Sequence, residues 1–208
     1  MALNNYANLK QAVEDWGHRG DVSAYLDDFI AVCETEMYTG TNVQIRVRSM
    51  VTTETSAMSA SVQYQALPTD YLETKRFDVT VSDEKYTIDY RTPTQMELRS
   101  GTSVPAYYTI TSQIEYDIQP DQAYVTNIIH YARLTTLDST NTTNSILTDY
   151  PTVYLYGCLW ALSQYANNDE DEAKYYQKFI AAISGANMAD SNGDYGVASQ
   201  KVRRGRNP

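Results

Sequence analysis

The chain has 208 residues, a formal net charge of −10 and a pI near 4.6. A chain of this length can bury a substantial core, either as one domain with a large insertion or as two small domains. The acidic balance argues against a surface that grips nucleic acid, because Lys and Arg supply most of the affinity for phosphates. Nineteen tyrosines against three phenylalanines suit surfaces that become buried in an assembly, or equally the half-exposed strands of a β-rich domain.

Cysteine usage and the N-terminus indicate a protein made in a reducing cytoplasm. Cys33 and Cys158 lie at apolar positions of helix-like stretches, so we expect two buried thiols and no disulfide. The first ten residues lack a basic segment that leads into an apolar run, so we expect no secretory signal. The longest apolar stretches are too short to span a bilayer.

Two helices are predicted at the N-terminus. The first has an apolar stripe at spacings of three and four and is closed by Gly17 and Gly20. The second follows an N-cap at Asp21, repeats an apolar residue every four positions up to Gly40, and places Asp27, Asp28 and Glu34 on its other faces. The two stripes comprise Tyr6, Leu9, Val13 and Trp16 in the first helix and Tyr25, Phe29, Cys33 and Met37 in the second.

From about residue 43 to residue 135 the pattern changes from helical spacing to alternation, which predicts half-buried strands. Proline, glycine and Ser-Asp turns punctuate this region at intervals that favour an antiparallel sheet or a small barrel. We also expect a short helix at Thr94–Arg99 and single strands at Tyr107–Ile118 and Tyr124–Leu134. The alternating triplets are Val62, Tyr64 and Ala66; Phe77, Val79 and Val81; and Tyr86, Ile88 and Tyr90.

A Ser-, Thr- and Asn-rich stretch from Asp138 to Thr148 predicts a loop. Helix resumes with Thr148 or Asp149 as the cap and Pro151 in the first turn, and its nearly continuous apolar surface predicts burial on several sides. After a turn at Asn167–Asn168, four acidic residues begin a last helix that we expect to end at Gly185, so that the two helices form an antiparallel hairpin. Its expected packing residues are Leu155, Gly157, Leu159, Trp160, Tyr176 and Phe179.

The predicted fold class is α+β: an antiparallel bundle of the N- and C-terminal helix pairs with an inserted antiparallel β domain and an extended C-terminal arm. We assign residues 1–42 and 138–186 to the bundle, 43–137 to the β domain and 187–208 to the arm. The arm has little apolar content and no periodicity, so it cannot bury enough surface to fold alone. Its last ten residues carry four basic side chains and no acidic one, which is typical of a segment that orders on a partner, although a solvated tail is the alternative.

Motifs for catalysis, cofactors or metals are not found. His18 and His130 have no second ligand at metal spacing, and we expect each to be a cap or a hydrogen-bonded surface residue. There is no phosphate-binding glycine loop, dinucleotide fingerprint, nucleophile elbow or closely spaced cysteine pair. Asp190–Asp194 alternates oxygen ligands around a glycine but lacks the distal glutamate of a calcium loop, so we expect a flexible hinge there. We therefore predict no enzyme, no cofactor and no metal site.

Several segments in chain order carry a resemblance to a known family. They are Leu155–Leu159 with Tyr165, Asp169, Ala173, Tyr176, Phe179 and Ala182, the first helical stripe, and residues 67–72, 105–110, 118–120 and 150–151. With these segments the chain resembles the head-to-tail adaptor (connector, or tail accessory) proteins of tailed bacteriophages. Each segment is a packing pattern, and none is a chemical signature.

The resemblance implies a structural virion protein that forms a ring of twelve copies at the head-tail junction, below the portal protein. Double-stranded DNA would pass through the channel without specific binding, and a downstream tail or nozzle protein would be a further partner, with no membrane involved. The resemblance also implies that the arm reaches into the portal. The contacts expected there are Lys201, Val202, Arg203, Arg204 and Arg206.

Two other functions remain open from the residues alone. The C-terminal helical hairpin resembles a tetratricopeptide unit at five positions, which would make the chain an intracellular protein-binding module. These positions are Gly157, Ala161, Tyr165, Ala173 and Tyr176. Solenoid repeats need about three copies to bury a continuous core, and one hairpin is visible. The last alternative is a virion-associated cell-wall hydrolase that uses a pair of carboxylates.

Overall fold

The computed structural model describes residues 3–195, with side chains described as far as Ser191. The chain divides into a helical unit, Met1–Ser49 with Thr135–Pro208, and a β unit, Met50–Leu134. In chain order, helices precede and follow the strands of mainly antiparallel sheets, and the predicted α+β class is confirmed. No helix in the described part of the chain is long and apolar enough to cross a membrane.

Five α-helices and two 3-10 turns are described. Two asparagine side chains cap helices, because Asn5 accepts a hydrogen bond from the amide of Asn8 and Asn144 accepts one from the amide of Leu147, both at 2.9 Å. The elements are α1 Tyr6–Gly17, a 3-10 turn Gly20–Tyr25, α2 Leu26–Thr39, a 3-10 turn Arg48–Met50, α3 Ser145–Asp149, α4 Pro151–Tyr165 and α5 Asp169–Tyr195.

Helix α4 is the centre of the helical unit, because it packs against α1, α2, α3 and α5. At Gly157 the neighbours come so close that an added Cβ would lie 2.2 Å from Sγ of Cys33 and 2.9 Å from the Phe179 ring. The predicted burial of this helix on several sides is thus confirmed. Both cysteines are buried and free, as expected, and burial raises the pKa of the Cys33 thiol well above its usual value.

Several expectations for α1 to α4 are wrong. The residue that precedes α4 is Tyr150, so neither Thr148 nor Asp149 caps this helix; both lie within α3. Asp21 does not cap α2, because the chain first makes the 3-10 turn and α2 begins at Leu26. Glu34 is not on an outer face of α2 but is buried, with 6% of its surface exposed. The stretch that ends at Thr148 is not loop throughout, because Asn144 caps the short helix α3.

The eight strands form two four-stranded sheets, with neighbours in the orders β1-β8-β3-β4 and β2-β7-β6-β5. All described strand pairs are antiparallel except β5 with β6, which is parallel. The strands are β1 Val51–Ala57, β2 Tyr64–Gln65, β3 Tyr71–Val81, β4 Glu84–Thr87, β5 Asp89–Tyr90, β6 Tyr107–Ile110, β7 Ile114–Tyr116 and β8 Val125–Ala132.

Apolar side chains from both sheets form the core of the β unit. The rings of Phe77 and Tyr108 meet edge to face at 5.0 Å, the favourable geometry for two aromatic rings. Between β3 and β4, Ser82 and Asp83 have φ values of 50° and 67°, as a type I′ hairpin turn requires at both central positions. The core comprises Met58, Phe77, Val79, Ile88, Tyr108, Ile114, Tyr116, Tyr124 and Ile128.

The β unit also departs from the sequence-based expectations in two places. The stretch Tyr107–Ile118 is not one strand but a hairpin, in which β6 turns at residues 111–113 into β7. The helix expected at Thr94–Arg99 is absent, and a turn near Gln95 is followed by irregular chain. Ion pairing and a backbone bond tie Arg99 to Asp117, and this tertiary attachment overrides the local helical preference.

Candidate functional site

The described chain reaches the base of the predicted arm. Helix α5 has 27 residues and runs to Tyr195, so the expected end at Gly185 and the expected hinge at Asp190–Asp194 are wrong. An interior glycine weakens a helix by about 1 kcal/mol, which the surrounding contacts of α5 readily offset. The predicted portal contacts Lys201, Val202, Arg203, Arg204 and Arg206 lie outside the described residues.

Two side chains near the end of α5 fasten it to the segment that follows α2. The Asn187 amide accepts a hydrogen bond from the Arg46 backbone N–H and donates one to the Gln44 carbonyl, both at 2.8 Å. The Asp190 carboxylate accepts from the Arg48 backbone N–H at 2.9 Å and lies 3.3 Å from Nε of the same residue. These contacts hold the part of α5 around residues 187–190 against the segment that follows α2.

The charge around this arm base differs in sign from that of the arm itself. Outside the last ten residues, the helical unit has 15 acidic and 6 basic residues, a net charge of −9, whereas the last ten residues carry +4. A basic segment binds an acidic or polar groove on another molecule more favourably than a basic groove. The arrangement therefore suits attachment to a partner.

A buried carboxylate joins the two halves of the helical unit. Oε1 of Glu34 accepts hydrogen bonds from the Leu137 backbone N–H at 3.1 Å and from the Tyr154 hydroxyl at 2.9 Å. Asn144 donates to the same hydroxyl at 2.8 Å, and burial raises the pKa of Tyr154 far above its usual value. These oxygens hold α2, α4 and the 135–144 segment together, a structural role that the predicted outer-face position of Glu34 did not indicate.

The residues predicted to pack the bundle fall into three groups. Leu9, Val13, Phe29, Leu155, Gly157, Leu159 and Phe179 are buried, and Tyr6, Trp160 and Tyr176 are half-buried. Trp16 and Tyr25 are 52% and 42% exposed and so belong mainly to the surface. Tyr25 precedes α2 and therefore lies off its apolar stripe, where its ring meets that of Tyr165 at 5.0 Å.

Exposed tyrosines also mark the β unit. Tyr64, Tyr86 and Tyr90 each have about half of their surface exposed, and they lie on β2, β4 and β5. Tyr176 of the helical unit is half-buried, and burial followed by its hydrogen bond to Glu36 raises the pKa of its phenol. Large rings with a polar tip are the side chains that protein interfaces favour.

Neither histidine belongs to a metal site in the described part of the chain, where no cluster of three or more His, Cys, Asp or Glu side chains could hold an ion. His18 ends α1 in the left-handed conformation, so the expected capping role is confirmed for it. His130 is fully buried and lies 3.3 Å from Asp70, so its expected place at the surface is wrong.

Comparison with protein-family models gives a match that spans nearly the whole chain. A family model described as SU10 adaptor protein matches residues 4–204, which includes both units and extends into the basic arm. No curated protein matches the chain. The match bears out the resemblance to phage head-to-tail adaptors and lends no support to the tetratricopeptide or hydrolase alternatives.

Proposed function

Because the chain belongs to the SU10 adaptor protein family, structural components of bacteriophage virions that interact with portal and tail proteins, we propose that it forms a ring of twelve copies at the head-tail junction. The ring is seated below the portal protein and holds a downstream tail or nozzle protein. Double-stranded DNA passes through its channel without specific binding, and the chain catalyses no reaction. Its charge of −10 supports this passage, since an acidic wall does not retain DNA phosphates.

The observation that carries this proposal is the extent of the family match, which runs from the first helix into the arm. We propose that Lys201, Val202, Arg203, Arg204 and Arg206 contact the portal. The fastening of α5 by Asn187 and Asp190 supports the arm assignment, because it provides a rigid base from which the arm extends. A cationic segment on a rigid base can reach a partner with little additional ordering cost in the body of the protein.

Negative-stain imaging of the purified chain, alone and with its portal, tests the ring directly. We expect rings in at least one condition, and a monomer that ignores the portal would contradict the proposal. Deletion of residues 199–208 should weaken portal attachment while the circular dichroism spectrum and unfolding midpoint stay unchanged. A matched control replaces Ser199, Gln200 and Asn207 with alanine, which changes the arm without changing its charge; normal docking of the deletion variant would refute the arm assignment.

A further inference from the structure

A pocket of about 180 Å³ in the β unit brings two arginines together. It lies between the irregular segment after β5 and the β6–β7 hairpin, and neither the family match nor the proposed ring assigns it a role. Its lining residues are Arg91, Gln95, Met96, Glu97, Arg99, Tyr107 and Asp117. Two guanidinium groups with planar donor forks are the usual means by which proteins recognise a carboxylate or a phosphate.

The first arginine of the pocket, Arg99, is fixed by a buried acid. Its Nε and a terminal nitrogen lie 2.7 and 2.6 Å from Oδ2 of Asp117. The other carboxylate oxygen, Oδ1, accepts from the backbone N–H groups of Ala106 at 3.0 Å and Tyr107 at 3.2 Å. Asp117 is 1% exposed, whereas the Arg99 side chain is 48% exposed. Arg99 is therefore held rigidly and still presents part of its guanidinium to solvent.

The second arginine, Arg91, is oriented without being neutralised. Its guanidinium carbon lies 4.1 Å from the centroid of the Tyr107 ring, a cation–π contact, and its backbone N–H donates to the Tyr108 carbonyl at 2.8 Å. Among residues 3–191, no carboxylate forms an ion pair with Arg91, although Glu97 lines the same pocket. The pocket thus contains one fixed arginine whose charge is compensated and one fixed arginine whose charge is not.

The charge of the surroundings favours a single carboxylate over DNA as the ligand. The β unit has 11 acidic and 6 basic residues, a net charge of −5, and Asp117 and Glu97 line the pocket itself. Duplex DNA brings about one negative charge per 1.7 Å of helix axis and would be repelled over a long stretch of this surface. A single carboxylate side chain can contact the two guanidinium groups without bringing a long row of negative charges to this surface.

Carboxylates are most concentrated in the described chain at the start of α5, where Asp169, Glu170, Asp171 and Glu172 follow one another. Asp171 is paired with Lys174 at 2.9 Å and Glu172 accepts from Gln164 at 3.0 Å, whereas Asp169 and Glu170 are exposed. We propose that the Arg91–Arg99 pocket of one copy binds a carboxylate from Asp169 or Glu170 of a second copy. This inference rests on the ring proposed above, in which neighbouring copies would meet through two different surfaces.

Charge reversal and rescue in the full chain test this pairing. Arg91→Glu should raise the protein concentration needed for half-assembly by about tenfold, because attraction is replaced by repulsion at every contact. A variant with Asp169→Lys and Glu170→Lys should show the same loss, and combining both sets of changes should restore assembly. Mass photometry at low and high salt measures the oligomers, and Lys85→Glu on β4 is the matched control, since it makes the same charge change outside the pocket.

Each other result counts against the inference in a different way. Full assembly of Arg91→Glu with an unchanged unfolding midpoint would show that the pocket is not an interface, while the ring proposal stands. Loss with Arg91→Glu but not with the lysine pair, or loss without rescue, would refute this partner. If Arg91→Gln lowers retention of a labelled DNA duplex and leaves assembly intact, the pocket takes phosphate instead. A wild-type chain that never assembles would overturn both the ring and this contact.

Discussion

Each unit contains a buried carboxylate that links separate segments of the chain: Glu34 in the helical unit and Asp117 in the β unit. Glu34 is 6% exposed, and its partners include a backbone N–H and a tyrosine hydroxyl. Asp117 is 1% exposed and accepts from two backbone N–H groups and from the cationic Arg99. Hydrogen bonds in which either the donor or the acceptor is ionised are roughly twice as strong as neutral ones.

The partners also differ in sequence separation. The donors to Glu34 are 103 and 120 residues away, so this acid closes the helical unit only when both ends of the chain have come together. The partners of Asp117 lie within 18 residues of it, and the acid organises a local loop. The helical unit therefore depends on contacts between distant parts of the chain, whereas Asp117 organises a loop of the β unit through contacts within one segment. Contacts over a short sequence separation cost less loop-closure entropy.

The largest expected effect is in the helical unit, at the closest approach of its helices. Gly157→Ala should lower the free energy of unfolding by about 3 kcal/mol, because the new methyl group would overlap Cys33 and Phe179. The only two tryptophans, Trp16 and Trp160, both lie in this unit, so fluorescence-detected urea unfolding reports on it. Gly185→Ala is the control: nothing lies within 4 Å of that position, and the variant should gain roughly 0.5–1 kcal/mol in helix stability. Equal behaviour of the two variants would contradict the tight packing.

Asp117→Asn should be the most damaging single-atom change in the β unit. The variant loses the charge-assisted bonds to Arg99 and should be less stable by about 2 kcal/mol. Hydrogen exchange should speed up first at the amides of Ala106 and Tyr107, which donate to this carboxylate. Asp89→Asn, an exposed acid on β5, should change stability by less than about 0.5 kcal/mol. If hydrogen exchange at these two amides is unaffected, Asp117 does not hold this loop in place.

In the helical unit, Tyr154→Phe removes one donor from Glu34 and should cost about 1.5 kcal/mol. Because the remaining bonds to Glu34 link distant segments, we expect slower folding as well as lower stability, which stopped-flow tryptophan fluorescence measures. The control, Tyr156→Phe, removes a hydroxyl from a half-buried tyrosine in the same helix and should leave both quantities nearly unchanged. We expect the loss in the free energy of unfolding caused by Tyr154→Phe to be smaller than that caused by Asp117→Asn. A larger loss for Tyr154→Phe would contradict this order.

The arm base offers a smaller effect with a local readout. Asn187→Ala removes two hydrogen bonds to the 44–46 segment and should lower stability by about 1 kcal/mol. The amide of Arg46 should lose its protection from hydrogen exchange, while the amides of α4 keep theirs. Met188→Ala, at a neighbouring position that is 65% exposed, should leave the exchange of Arg46 as it is. Unaltered protection in Asn187→Ala would mean that this side chain does not fasten α5.

The smallest expected effect depends on pH. Hydrogen bonds from Tyr6 and then Lys10 lower the pKa of Asp27, so its contribution to stability is present above the unfolded pKa of about 3.9 and is lost as pH falls through the lower folded value. Asp27→Asn should therefore cost a few tenths of a kcal/mol at pH 7, since the side chain is 65% exposed, and less at pH 2. Urea unfolding at both pH values checks this, with Asp28→Asn as the control.

Periodicity alone predicted the four long helices α1, α2, α4 and α5 and the class of the β insertion, because long regular elements leave strong patterns. It failed where tertiary contacts decide the backbone, as at Arg99, which is tied to Asp117, and at the end of α5, where Asn187 and Asp190 hold the chain beyond Gly185. Glu34 carried a usable signal, since it lies four residues after Ile30 and beside Cys33 on the buried face of α2. The Arg91–Arg99 pocket had no signal, because its residues are brought together by irregular chain.

Helix α5 also works as a spacer of set length. Its 27 residues span about 40 Å, from the acidic residues at its start to Tyr195 at its end. The length of an uninterrupted helix is fixed by its hydrogen bonds. A displacement of its first residues along the helix axis therefore moves its last residues by the same distance. Two partners that contact opposite ends of α5 would therefore be held about 40 Å apart, a distance set by the number of residues in the helix.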